Sequence, residues 1–236
     1  MTSTTSGSRH IPARRPLVDE VYDAVLELLM DHAIAPGERA SIDGIARELD
    51  VSPTPVREAL TRLESEGLVL KKALRGYTAA PLLDEDGLAQ LFAMRRLLEP
   101  AAASLAASRI GEPEIAELER LSVEMHRSGA AAQRGSDRFH DYRAFADRDA
   151  DFHRLIAANS GNSLLLDAIV RLRAHMHLYR LYFRHGIAEE TADEHEVILD
   201  ALRSGDTAAA ESAMLTHISR SHDRISSGLA GGDAPS

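Results

Sequence analysis

The chain of 236 residues contains no cysteine, which excludes disulfides and thiolate metal sites and leaves histidine and carboxylates as the available ligands. No stretch approaches the roughly 18 consecutive apolar residues that a membrane span needs. The Ser/Thr-rich residues 1–15 lack the apolar centre of a signal peptide. A cytoplasmic protein is expected, with disordered tails over 1–15 and 227–236. Lysine is almost missing as well, since Lys71 and Lys72 are the only two. The formal net charge of -10 argues, taken alone, against a nucleic-acid partner, because neutralising phosphates takes a basic surface. Its distribution points the other way. Lys71 and Lys72 stand beside Arg75, and Arg9, Arg14 and Arg15 punctuate a tail without any acid.

What is present begins with an amphipathic helix after Pro16, where Val18, Val21, Tyr22, Val25, Leu28 and Leu29 recur at helical spacing opposite Asp19, Asp23 and Glu27. Pro36-Gly37 ends that pattern, and Ile42, Ile45, Ala46 and Leu49 mark a second, short helix. Asp50-Val51-Ser52 is then a tight connection, with Ser52 placed to cap a third helix that starts at Pro53. Val56, Ala59, Leu60 and Leu63 form the buried face of that helix and leave Thr54, Arg57, Glu58, Thr61 and Arg62 outward, until Gly67 stops it. Leu68-Val69-Leu70, a tip at Lys71, Lys72, Arg75 and Gly76, and Tyr77-Thr78-Ala79 predict a two-stranded wing.

The run from Val51 through Pro53-Thr54-Pro55-Val56-Arg57-Glu58-Ala59-Leu60 to Leu63-Glu64-Ser65-Glu66-Gly67-Leu68-Val69 resembles the recognition-helix signature of the GntR family of winged-helix regulators. The resemblance implies that the third helix enters the major groove and the wing reaches the minor groove or the backbone. Ser52, Thr54, Arg57 and Arg62, with Arg75 and Gly76 at the wing tip, are then the DNA-binding residues. At Pro53 many members of the family carry an arginine, so this chain has one cationic contact fewer.

From Asp84 onward strand signals vanish, and six helical segments are expected, divided at Gly111-Glu112-Pro113, 129–136, 159–162, Gly186 and Gly205-Asp206. The fold class expected is therefore mainly α: a winged helix-turn-helix over 16–80, then an all-α six-helix bundle over 84–226. The first bundle helix carries Leu88, Leu91, Leu98 and Leu105 on one stripe and is predicted to kink at Pro100. Thr191 with Glu194 has the spacing of a capping box, and Asp206 is placed to cap the last helix.

The polar residues within the apolar stripes carry the chemistry. Phe145, Asp149, Phe152, His153 and Ile156 share one helical face, as do His195 with Ile198, Leu199 and Leu202, and His217 with Ala210, Ala213, Met214 and Ser221. Core-facing histidines and a core-facing carboxylate demand partners, because burying an unpaired charge costs several kcal/mol or more. Either they hydrogen-bond one another or they share a cation. Asp149 and His153, one turn apart, can both ligate one ion, with His195 and His217 supplied by two further helices. Such a set suits a divalent transition metal such as zinc or nickel.

This half of the chain is similar to the ligand-sensing FCD domain of the FadR subgroup, and its pattern at Asp149-Ala150-Asp151-Phe152-His153, His195 and His217-Ile218 resembles the metal-binding branch. That resemblance implies a homodimeric transcription regulator, a repressor in most relatives, acting on a palindromic double-stranded DNA operator and answering to a small organic acid. Arg95 resembles an arginine common in the subgroup and is expected in the anion pocket, with a salt bridge to Glu99 as the plain alternative; His177 is a second candidate for its lining. Two other functions compete: a metal-dependent hydrolase, with Glu194 or Glu196 imagined as base, and a DNA-binding protein with a purely structural metal. Residues near Ala80 to Asp84 are expected to form the joint between the halves.

Overall fold

The computed structural model describes residues 16–73, 76–132, 139–172, 174, 177, 178 and 188–230. The first helix, α1 (Leu17–Met30), is followed by strand β1 (Arg39–Ala40), α2 (Ile42–Glu48), α3 (Pro53–Ser65) and strands β2 (Val69–Lys72) and β3 (Gly76–Ala79). Helices α4 (Glu85–Ala107), α5 (Glu112–Ala132), α6 (Phe139–Ala158), α7 (Ser163–Leu172), α8 (Ala188–Ser204) and α9 (Thr207–Ala230) follow.

In the N-terminal part, Ser41 caps α2 by accepting from the Gly44 N–H at 3.2 Å. Asp50 makes the tight turn into α3 at a positive φ of 52°, a conformation that a short polar side chain tolerates. Ser52 occupies the cap position of α3 with Pro53 behind it, but its side chain makes no capping hydrogen bond, so the predicted cap is one of position only. Gly67 ends α3 at a φ of 76°; the Leu68 N–H returns to the Leu63 carbonyl and the Gly67 N–H to that of Glu64, both at 3.0 Å, which satisfies two terminal carbonyls. The wing pairs Val69 with Ala79 through Lys72 with Gly76. It also has a strand that the sequence did not announce: the two residues of β1 pair with Tyr77 and Thr78, giving the order β1-β3-β2. A two-residue strand is too short for alternation to show.

Two large hydrophobic clusters form. One gathers Val25, Leu29, Val56, Leu60, Leu63, Leu68 and Ala79 from the helix-turn-helix and wing. The other gathers Phe92, Leu118, Phe145, Phe152, Ile198, Leu202, Met214 and Ile218 from the bundle. Six helices make up the described bundle, with α5 continuing past the expected break at Gly129.

On α4 the expected leucine stripe is buried at Leu88 and Leu91 and half-buried at Leu98 and Leu105, while the inward face also carries Phe92, Arg95, Glu99, Ala103 and Ala106. One expectation from the bundle is corrected: Thr191 and Glu194 form no capping box, because α8 begins at Ala188 and places both inside the helix. Asp206 does cap α9, accepting from the Ala208 and Ala209 N–H groups at 3.1 and 2.9 Å.

Candidate metal centre and nucleic-acid interface

Helices α6, α8 and α9 bring His153, His195 and His217 together in the middle of the bundle, at 3%, 0% and 3% exposure. One ligand atom from each lies within 4.8 Å of the others. His195 Nε2 and His217 Nε2 are 3.4 Å apart, and Asp149 Oδ1 stands 3.3 Å from His195 Nε2 and 3.8 Å from His153 Nε2. Donors about 2.1 Å from one ion stand roughly 3 to 4 Å from each other, so the spacing fits a shared cation. The donor set of imidazoles and a carboxylate suits a divalent transition cation.

The outward nitrogens explain how the rings are aimed. His153 Nδ1 lies 2.6 Å from Glu99 Oε2, and His217 Nδ1 lies 2.9 Å from Glu194 Oε2. A carboxylate accepting from Nδ1–H leaves Nε2 with its lone pair directed inward. His195 Nδ1 instead meets the Met125 thioether sulfur at 3.3 Å, a weak acceptor, and its ring stacks on Phe152 at 4.4 Å with 6° between planes. Each carboxylate is held in turn by an arginine. Arg95 donates to Glu99 from Nε at 2.6 Å, and Arg224 donates to Glu194 at 2.7 and 3.0 Å.

Burial opposes the charge on Glu99, yet Arg95 and His153 outweigh it and hold this carboxyl well below the usual range. Glu194 is likewise lowered against its burial, by hydrogen bonds from His217 and Arg224. Burial pushes His217 down, toward the neutral form that a ligand must have.

Asp149, His153, His195 and His217, expected to face inward, are all buried, while the sequence did not place Glu99, Glu194, Arg224 or Met125 beside them. The signal for Glu99 was available, since it continues the Phe92-Arg95 stripe one turn on. Glu194 had been assigned to a helix end that lies elsewhere. Arg95 adopts the salt bridge to Glu99, fully buried beside the cluster. His177 is not at the histidine cluster: it lines an open cleft of about 560 Å³ with Glu64 to Gly67, Asp167, Val170 and Arg171.

On α3, Ser52, Thr54 and Arg57 are exposed together at the N-terminal half. Among the described residues no ion pair engages Arg57, whereas Arg62 is paired with Asp19 at 3.3 Å and Glu66 at 3.6 Å. The Arg62 guanidinium also lies 4.0 Å over the Tyr22 ring, so it reaches a phosphate only by leaving these partners. Gly76 is exposed at the start of β3 with a φ of 76°; Arg75 lies outside the described residues.

Comparison with known proteins decides what these two sites belong to. Residues 17–78 match the bacterial regulatory proteins of the gntR family, and residues 90–220 match the FCD domain. The chain is a GntR-family transcription regulator with an FCD domain. It is 29% identical over 217 residues to the HTH-type transcriptional regulator LutR of Bacillus subtilis (strain 168), spanning 84% of this chain and 96% of the relative. The HTH-type transcriptional repressor RspR of Escherichia coli (strain K12) is 29% identical over 209 residues, 86% of each chain. The solved structure of E. coli McbR/YncC shares the fold, with a TM-score of 0.67 at 22% identity, covering 92% of this chain and 100% of that one. The family consists of DNA-binding regulators, which removes the hydrolase reading. Among the described residues no helix is long and apolar enough to cross a membrane.

Proposed function

We propose that this regulator is a homodimeric repressor whose operator affinity is set by a small organic acid at a divalent-metal site in the helical domain. In this reading residues 16–80 bind a palindromic operator, and residues 84–226 sense the ligand and dimerise. The observation that carries it is the convergence of Asp149, His153, His195 and His217 in a bundle attached to a winged helix. RspR, a repressor by its name, supports the sign of regulation.

Asp149, His153, His195 and His217 would hold the ion, zinc or nickel, which when bound supplies a Lewis-acidic point for a carboxylate. Arg95 adds positive charge beside it: Glu99 and Asp149 favour its charged form strongly enough to overcome burial. Ser52, Thr54 and Arg57 address base edges or phosphates from the start of α3, with Gly76 and Arg75 at the wing tip and Arg62 in reserve. For dimerisation the support is apolar: Met94 and Leu97 on α4, and Leu164 and Val170 on the adjoining α7, are between 40% and 77% exposed. The cation and the acid are tested together by thermal-shift screening of small organic acids on metal-loaded and chelator-stripped protein. An acid that stabilises only the loaded form supports the reading.

The near-complete burial of the donors favours a second reading, a structural metal. It is the outcome if chelation lowers stability while no acid raises it in the loaded protein.

A further inference from the structure

Helix α6 does two things at once. Its middle carries Asp149 and His153 into the metal cluster. Its N-terminal end leaves the bundle altogether: Phe139, 2% exposed, is part of the winged-helix core with Leu29 and Met30, and not of the bundle core. The Phe139 N–H donates to Asp31 Oδ1, at the end of α1, at 2.7 Å. One turn further, Arg143 pairs with Asp23 of α1 at 2.5 Å and stands 3.6 Å from Glu27. The Arg143 and Asp23 side chains are only 23% and 14% exposed, so salt screens this pair less than a surface one.

From Arg143 to Asp149 is six residues, about 9 Å along a helix, and the gripping and liganding stripes lie about 100° apart around it. An α-helix transmits such a displacement as a rigid body. Arg148 also ties α6 to Glu124 of α5 at 2.6 Å, so α6 is fixed to the bundle on one side and to α1 on the other.

We infer that α6 is the lever joining the metal site to the DNA-binding unit, with Phe139 and Arg143 as its grip on α1. The inference rests on the metal reading above. It adds a second connection to the covalent one at 80–84, and places the control of the recognition helix on the helix that α3 packs against. Any ligand that turns or shifts α6 to bring Asp149 and His153 onto a cation moves the grip. By linkage, the grip feeds back on the cation to the same extent.

The test uses the full chain and zinc alone. Zinc affinity is measured by competition with a chromophoric chelator, and hydrogen exchange of α1 is followed with and without zinc. In the parent protein zinc changes exchange in α1. In Arg143→Ala that response is lost and the zinc dissociation constant shifts by about fivefold or more, while Arg154→Ala, on α6 but paired only with Asp151 among the described residues, behaves like the parent. Asp23→Asn, nearly isosteric, removes the same ion pair from the α1 side and serves should Arg143→Ala fold poorly. Zinc binding with no response in α1, or a response intact in both variants, overturns the lever and leaves the metal site standing. Failure of zinc, cobalt and nickel to bind overturns the metal reading, and the lever with it.

Discussion

The two cores of this protein are built on opposite plans. Among the described residues, the winged-helix cluster buries aliphatic side chains, Met30, two tyrosines and Phe139, and the one residue beside them counted as buried and polar is Thr78. The bundle buries Arg95, Glu99, Asp149, His153, Glu194, His195 and His217 in its midst. In the function proposed above, the first half works through its surface, and its interior only holds α3 in place. The second half, in that proposal, works through its interior, where charge survives because each group is answered by another. A substitution should accordingly separate stability from function in the first half and couple them in the second.

The largest effect expected is from Glu99→Ala, which strands the buried Arg95 guanidinium and removes the partner of His153. Loss of one member of a buried pair costs about 3–5 kcal/mol, read by urea denaturation, whereas Glu58→Ala on the exposed face of α3 should stay within about 0.5 kcal/mol. Next comes metal itself. Zinc at a hundred times its dissociation constant should add about 2.7 kcal/mol to unfolding stability, and His195→Ala should abolish that gain in a calorimetric scan. Arg57→Ala marks the other side of the comparison. Its melting temperature should match the parent's, while specific binding to operator DNA, followed by fluorescence anisotropy, is lost; retained specificity in a folded variant would sink the assignment.

The smallest effect is one of pH, on chelator-treated protein. Burial lowers the His217 pKa in the folded state, so below the unfolded value of about 6.5 the unfolded chain takes up the proton more readily. Its contribution is complete above that pH and declines as the pH falls from about 6.5 toward the folded value, by at most about 1.4 kcal/mol per pH unit. Denaturation midpoints at pH 7.5, 6.5 and 5.5 check this, and His217→Asn should flatten the slope.

Legibility followed the same division. The helix-turn-helix was readable because its signals are local: the turn at Asp50, Pro53 at the first helical position and Gly67 at the end each act within a few residues. In the bundle, periodicity was enough to turn Asp149, His153, His195 and His217 inward, since a polar residue on an apolar stripe has only one direction to face. It did not place Glu99 against His153, since the spacing on α4 shows only the Arg95–Glu99 pair, and it failed on Glu194, where a local capping motif offered a cheaper explanation than a partner 23 residues away in His217. The two-residue strand β1 gave no pattern at all.

By itself, then, the sequence determined most of the helices, the wing and the inward turn of Asp149, His153, His195 and His217, because each depends on spacing along one helix or turn. Tertiary structure alone decided that Glu99 and Glu194 aim the imidazoles, that His177 faces the end of α3, and that Phe139 and Arg143 leave the bundle to grip α1. Those are relations between helices far apart in the chain, and burial in a folded core is what makes an ion pair there worth keeping.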